Sequence, residues 1–316
     1  MKTWSCSKPS NIALIKYMGK TDVSSNKPTN SSLSWTMNHL QTTVTLTVDE
    51  KDHWSEASDS KYKLKLSEKG QARYLKHLNF LKSEFGLQDY YFHVQSKNNF
   101  PSDCGLASSA SSFAALTECV HQAALDLASP DVTVEQLASF SQQGSGSSCR
   151  SFFSPWGLWT PEGAQSIDLP VNNLKHVVVI VDEEQKKISS SEAHKLVAHS
   201  ELFPGRPERA EKRLSLLCKA FEDNDWKEAF EICWREFWDM HVLFETCKPS
   251  FGYMNSGSLK ALEAARQCWD TYQDGPLVTM DAGPNVHYLF REDQKDIKAK
   301  LLKELSDFKI IDQDDF

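Results

Sequence analysis

No two cysteines in this chain stand at C-x-x-C spacing. Cys6, Cys104, Cys119, Cys149, Cys218, Cys233, Cys247 and Cys268 are scattered over 316 residues. That leaves no zinc-knuckle spacing and no disulfide framework, so reduced cytosolic thiols are the economical reading. Long apolar runs are missing too: nothing approaches the roughly 18 residues of a membrane span, and Met1–Pro9 holds no apolar leader core. A cytoplasmic protein without a membrane partner is expected. Positive charge is in deficit, with 35 Lys plus Arg against 43 Asp plus Glu and a formal net charge of −8. Nucleic acid is therefore not an expected partner, because a broad footprint needs a basic face. Local cations can still hold a small anionic ligand. Low-complexity tracts are also absent. At 40% hydrophobic and 25% charged residues the composition is that of a soluble globular protein, long enough for two domains or one large one.

Two nucleotide motifs are present only in part. Gly19-Lys20-Thr21 imitates the tail of a Walker A loop, but that motif needs a second Gly five residues earlier, where the chain has Leu14. Gln143–Ser151 holds Gly144 and Gly146 without a third Gly or a preceding strand, so it is not a dinucleotide fingerprint. It is instead a small-residue turn entering a helix, with Ser145, Ser147 and Arg150 available to an anion. A guanidinium fork there suits a carboxylate or phosphate; a glycine helix break with a surface Arg is the plainer alternative. Around Gly19-Lys20-Thr21, Lys16, Tyr17, Lys20 and Asp22 are packed into seven residues, as an anion site or a solvated turn.

The stretch from Asn98 to Ala110 is the most informative. A β-like run, Tyr90–Gln95, leads in, and an apolar-periodic helix over Ser108–Leu127 leads out. Between them Pro, Ser, Gly and Ala make a turn with only Leu106 bulky near its apex. Backbone N–H groups gathered at a helix start, with the positive end of its dipole, make a phosphate cradle. An ordinary β-to-α loop with a serine cap reads the same way.

Elsewhere, Thr3–Lys8 reads as a short strand, Asn30–Trp35 as a serine turn into a strand, and Thr42–Val48 and Lys61–Leu66 as half-buried strands. Arg73–Phe85 and Thr133–Ser141 read as helices. His176–Val181 is a nearly continuous apolar run, hence a central strand. Glu208–Phe221, Trp226–Phe244 and Ser256–Trp269 carry helical spacing, and the stripe Phe230, Trp234, Phe237, Trp238 reads as core. The shift from strands to helices puts a domain boundary near residue 185, giving units 1–185 and 186–316. Leu277–Phe290 is a strand ending at Asp281, a turn through Ala-Gly-Pro-Asn, and a returning strand. Such an Asp is either turn chemistry or a rigidly held catalytic carboxylate.

Taken together, Ser10–Ala13 with Lys16–Lys20, Asn30–Ser34, Asn98–Ala110, Gly144–Ser151 and Asp281–Asn285 resemble the diphosphomevalonate decarboxylase family. That family belongs to the superfamily of galactokinase, homoserine kinase, mevalonate kinase and phosphomevalonate kinase. Each block alone is weak, but all occur in the family's order between residues 9 and 290. The resemblance implies a two-domain α/β (α+β) fold. Its amino-terminal domain would be ribosomal-protein-S5-like, its carboxy-terminal domain ferredoxin-like α+β, and the active site would lie in the cleft between them.

The implied reaction uses ATP and Mg2+ to phosphorylate the 3-hydroxyl of mevalonate 5-diphosphate, then loses phosphate and CO2 to give isopentenyl diphosphate. Carried over by position, Asp281 is base or orienter, Lys16 its neighbour, and Arg150 the grip on the substrate carboxylate. Tyr17, Lys20, Ser145, Ser147 and Ser190 cradle the diphosphate. Asn98, Ser102, Gly105, Leu106, Ala107, Ser108, Ser109 and Ala110 wrap the ATP phosphates, with Ser109 helping to hold Mg2+. Homodimers are common in the family, though no heptad or exposed stripe here signals one.

The chain departs from the family motif Lys-Tyr-Trp-Gly-Lys-Arg-Asp at Met18 and Thr21. Ser191 also stands where some bacterial members carry an Arg facing the diphosphate and others a hydroxyl. The loss of cations bears on diphosphate affinity more than on reaction type. The alternatives are a relative that acts on the monophosphate, one that only phosphorylates, and a silent nucleotide-binding regulator. The joint presence of Lys16, Arg150 and Asp281 favours full decarboxylation.

Overall fold

The computed structural model describes residues 2–22, 24–62, 66–101, 108–128, 131–183 and 187–316. The strands of the amino-terminal half are longer than local alternation alone suggests. β1 runs from Thr3 to Ile15, well past Lys8. After a small hairpin of β2 (Lys20–Asp22) and β3 (Lys27–Pro28), β4 runs unbroken from Ser32 to Asp49, joining the two strands expected there. Pairing explains the length, since one antiparallel ladder carries Thr3 opposite Thr47 through to Ile15 opposite Leu33. On its wet face hydroxyls meet across the strands, Ser5 with Thr45 at 3.0 Å and Ser7 with Thr43 at 2.8 Å. On its dry face Val44 and Leu46 are fully buried.

β5 (His53–Glu56) and β6 (Tyr91–Asn98) pair in parallel, which requires a crossover. α1 (Glu68–Glu84) lies in that connection, capped by the Ser67 hydroxyl, which accepts from the Gly70 N–H. Of the strand expected at 61–66, residues 63–65 lie outside the described residues, and Tyr62 makes a single bridge to Asn98. α2 spans Ser108–Leu127, as its periodicity predicts. α3 (Val134–Gly144) starts at a Thr133 capping box. The small-residue turn beyond it winds into a 3-10 helix, Gly146–Phe152. β7 (Trp156–Thr160) and β8 (Gly163–Ser166) complete a six-stranded sheet, ordered β5-β6-β4-β7-β8 with β1 on the free edge of β4.

The second sheet opens with β9 (Leu174–Ile180). The chain then forms α4 (Ser190–Leu196), α5 (Arg206–Glu222), α6 (Trp226–Thr246) and α7 (Ser256–Tyr272). It returns as β10 (Leu277–Thr279), β11 (Val286–Arg291), α8 (Lys295–Glu304) and β12 (Lys309–Asp312). This four-stranded sheet is antiparallel throughout, ordered β10-β11-β9-β12. β9 is covered on both faces: Val177 and Val179 pack with α7 and α8, Val178 and Ile180 with the first sheet. Two-sided burial is why its sequence is continuously apolar. Sheet membership also brings residues 174–180 into the second unit, ahead of the composition shift at 185.

Between the sheets lies a shared core. Ile12, Leu14, Leu33, Trp35 and Trp156 meet Val178, Ile180, Leu277 and Leu289, with Leu217, Phe221 and Ile232 from α5 and α6 closing the cluster. Of the aromatic stripe on α6, Phe237 is fully buried and Phe230, Trp234 and Trp238 pack beside it. Among the described residues, no helix is long and apolar enough to cross a membrane.

Trp156 is the test of that shared core. It is fully buried, donates from Nε1 to the Val171 carbonyl at 2.5 Å, and sits 5.0 Å from Trp35 and 5.4 Å from Phe221, centroid to centroid. Trp156→Ala should lower stability by about 3–5 kcal/mol in chemical denaturation; an unchanged midpoint would show that the two sheets do not depend on this packing.

Candidate active site

β1 stops pairing at Ile15, after a register shift between Ala13 and Ile15. Lys16 therefore leaves the ladder and turns into the seam between the sheets, where it is 1% exposed. Its Nζ donates to Asp281 Oδ1 at 2.8 Å. Burial pushes the Lys16 amine down from its ordinary value, while the carboxylates of Asp281 and Glu236 resist the shift. Asp281 lies just past β10, and β10 is fixed to β1 by the Thr279 hydroxyl, which donates to the Ala13 carbonyl at 3.0 Å. The His241 ring nitrogen Nε2 lies 3.1 Å from the Asp281 carbonyl. Two residues 265 positions apart thus form one ion pair with backbone support on both sides.

Arg150 enters the same cleft from the 3-10 helix, almost wholly buried. Nη1 donates to Ser32 Oγ at 2.7 Å and Nη2 to Asn11 Oδ1 at 3.2 Å, while Nε has no hydrogen-bond partner among the described residues. Burial lowers the guanidinium's pKa, and the nearby Asp281 charge opposes that. A buried fork with an unused donor is arranged to receive an anion.

Small residues make room around it. A Cβ on Gly146 would come within 2.8 Å of the Tyr17 ring, so only Gly lets the turn close on Tyr17. Gly19, at φ +97°, reverses the chain after Met18. Asp22 turns away from the cleft instead, accepting from the Ser24 and Ser25 hydroxyls at 2.7 and 2.6 Å.

Lys16, Tyr17, Lys20, Ser109, Ser145, Ser147, Arg150, Ser190 and Asp281 all line one cleft. Ser108 begins α2 at the cleft's edge and Ala110 is buried in its first turn. Ser102, Gly105, Leu106 and Ala107 lie outside the described residues. Asn98 does not line the cleft. It is buried at the end of β6, where its Oδ1 accepts from Thr42 Oγ1 at 2.7 Å, and Thr42 lies 2.7 Å from the Ser111 hydroxyl on α2. It braces the two ends of the loop.

Sequence reasoning missed Arg73, His194 and Asn26, which also line the cleft. Arg73 reaches in from α1, donating from Nη2 to the Gly144 carbonyl at 2.5 Å and from Nη1 to Ser191 Oγ at 3.4 Å. Its position in an amphipathic helix gave no signal; only tertiary packing brings it to Ser191. His194 accepts from the Gly19 N–H at 3.1 Å and packs 4.2 Å from the Tyr17 ring. Burial lowers its pKa to about 3, so it is a neutral wall. Met18 fills an apolar pocket with Met240, Leu243 and Phe244. Thr21 is exposed and bonds the β3 backbone at 3.4 Å, away from the cleft. Beside the cleft runs a groove carrying Lys69, Arg73, Lys76, Lys187 and Lys195. An acidic protein is here locally cationic.

Comparison with known proteins agrees with this geometry. Residues 8–168 match a family model described as the diphosphomevalonate decarboxylase-like N-terminal domain, and residues 176–314 one described as the mevalonate 5-diphosphate decarboxylase C-terminal domain. The diphosphomevalonate decarboxylase of Ganoderma lucidum is 31% identical over 94% of this chain and 80% of its own length. That of Saccharomyces cerevisiae is 30% identical over 95% and 81%. A crystal structure of a mevalonate diphosphate decarboxylase from Legionella pneumophila superposes with TM-score 0.91 at 44% identity, covering 98% of this chain and all (100%) of that one. A relative in complex with MVAPP, AMPPCP and magnesium superposes with TM-score 0.85 at 30% identity, covering 96% of this chain and 93% of that one.

The cleft's affinity for anions should depend on pH through Lys20. Burial, with repulsion from Arg73 and Lys195, lowers its amine to about 8, so its charge is present below that pH and lost as pH rises through it. Pyrophosphate affinity, followed by calorimetry, should fall across pH 8, and Lys20→Met should remove most of that fall. A pH dependence that survives the substitution would assign it to another group.

Proposed function

This chain belongs to the diphosphomevalonate decarboxylase family, and on that premise we propose how its cleft converts mevalonate 5-diphosphate and ATP into isopentenyl diphosphate, ADP, phosphate and CO2. A tertiary hydroxyl is a poor leaving group, and phosphorylation makes it a good one. The 3-hydroxyl oxygen bonds to the γ-phosphorus as the bond to ADP breaks, and its proton passes to the Asp281 carboxylate. The C3–O bond then breaks with its electron pair on phosphate. The electrons of the bond to the carboxylate become the C=C bond, and CO2 departs.

The residues suit these steps by charge and position. Asp281 orients and deprotonates the hydroxyl, and Lys16 at 2.8 Å holds it ionised. Arg150 takes the substrate carboxylate with its unused Nε and the edge of its fork. That grip fixes the bond that breaks, which is positioning catalysis. Lys20, Tyr17, Ser145, Ser147 and Ser190 hold the diphosphate. Arg73 joins them, and its approach to Ser191 supports a diphosphate cradle despite the Arg lacking at position 191.

The cationic groove beside the cleft supports ATP binding along Lys69, Lys76, Lys187 and Lys195. The start of α2 offers oxygen donors suited to a hard cation, with the Ser109 hydroxyl 3.4 Å from Ser145 Oγ. Mg2+ held there through Ser109 supplies charge neutralisation at the transferred phosphoryl group. The loop at Ser102 and Gly105–Ala107 completes the phosphate cradle in this proposal, and Asn98 braces it. We assign the domain division to residues 169–173, where the gap between the two sheets overlaps the gap between the two family models. A cytoplasmic location belongs to the proposal and agrees with the free described cysteines.

The observation that carries the reading is convergence. Lys16, Arg150 and Asp281 come from distant parts of the chain to one cleft, and a simple 3-kinase has no need of a buried carboxylate grip. Purified protein with mevalonate 5-diphosphate, ATP and Mg2+ should release CO2, phosphate and ADP in equal amounts, with mevalonate 5-phosphate the poorer substrate. ADP formed without CO2 would reduce the activity to a kinase, and equal turnover of the monophosphate would remove the diphosphate cradle from specificity.

A further inference from the structure

Beneath Lys16 lies a second charged cluster that the reaction itself does not use. Glu236 on α6 and Arg206 on α5 are both fully buried and paired with each other. Glu236 Oε1 also accepts from the Lys16 backbone N–H at 2.9 Å, and Arg206 Nη2 donates to the Lys16 carbonyl at 3.3 Å. The pair therefore grips both backbone polar groups of Lys16, the residue at which β1 has left its ladder after Ile15. Asn30 adds a third hold on the Lys16 carbonyl, at 3.0 Å. On the far side Arg213 donates to Glu236 Oε2 at 2.9 Å and to Asp239 at 2.6 Å, and Arg209 braces Asp239 at 2.8 Å. One helix thus supports both halves of the reactive pair, with Glu236 under Lys16 and His241 beside the Asp281 backbone.

We propose that Glu236 is a positioning residue for the reaction: through the Lys16 backbone, and with Arg206, it aims the Lys16 side chain at Asp281. The inference rests on the reading of Lys16 given above. A buried ion pair is weak support for stability, because desolvation offsets much of its Coulomb energy, so a role in stability alone leaves the grip on Lys16 unexplained. The charges facing Lys16 are Asp281 from the loop after β10, Glu236 from α6, Arg150 from the 3-10 helix and Arg206 from α5. Those facing Glu236 are Arg206 and Arg213 from α5 and Lys16 itself, with Cys233 one turn before it on α6. Burial depresses Lys16, and of these groups only Asp281 and Glu236 raise it.

The test is a pair of variants with opposite signs, read in the full-length enzyme. Glu236→Gln keeps a hydrogen-bond acceptor for Lys16 and removes the charge. It should cut kcat by about tenfold or more, the size of one lost preorganising contact, with KM for mevalonate 5-diphosphate little changed. The alkaline limb of its kcat/KM profile should move to lower pH. Arg213→Met, at a partly exposed position, removes a cation that competes for Glu236 and should move the same limb to higher pH. A merely structural role would lower both variants' thermal midpoints while leaving the limb where the wild type has it, and that result would overturn the proposal. If Glu236→Gln does not fold, the Arg213→Met profile decides alone: an unmoved or acid-shifted limb contradicts the proposal. Wild-type turnover is measured in the same series, so an inactive wild type would count against the decarboxylase reading and not against the role of Glu236.

Discussion

The ion pair between the buried Lys16 and the half-buried Asp281 is the constraint on which the rest depends. Lys16 ends the first sheet's longest ladder and Asp281 follows the second sheet's edge strand, so the pair exists only when the two sheets hold a fixed relation. The shared core of Ile12, Leu33, Trp156, Val178 and Leu277 sets that relation, and the Thr279 to Ala13 hydrogen bond pins it beside the pair. A charged lysine in such a place is unfavourable unless opposed. The opposition comes from Asp281 in front and Glu236 behind. Catalytic geometry and tertiary structure are thus one problem here. The packing that joins the sheets also shields the Lys16 side chain from water, and charge interactions are strongest in such a medium.

The protein is acidic overall, with a formal charge of −8, yet its cleft is built to take anions. Arg150, Arg73 and Lys20 line it, and the adjoining groove adds further lysines. Repulsion among them shows in Lys20, whose amine is lowered to about 8. A polyanionic substrate relieves that repulsion on binding.

Much of this was legible in the sequence, for identifiable reasons. α2 was read to its ends because small and apolar residues follow one helical period from Ser108 to Leu127. The motif residues Lys16, Tyr17, Arg150 and Asp281 were found because a backbone turn and a charged side chain coincide at each. The length of β1 and β4 was not legible, since ladder length depends on a partner 18 to 44 residues away and polar Ser and Thr positions hide it. That Asn98 packs against Thr42 was not legible either, because its place next to the loop does not reveal that contact. Arg73 and Glu236 were missed for a related reason: each looks like an ordinary charged helix residue until α1 and α6 are packed against the cleft.

The central claim is that Lys16 and Asp281 act as one unit in phosphorylating and then decarboxylating the substrate. A double-mutant cycle with Lys16→Met, Asp281→Asn and the combination, read as single-turnover CO2 release from mevalonate 5-diphosphate, tests it most directly. The account expects strong non-additivity, with the double variant no slower than the slower single variant, as for catalytic groups that work together. Losses that simply multiply would contradict it, since independent effects would mean that the ion pair is not the reactive centre.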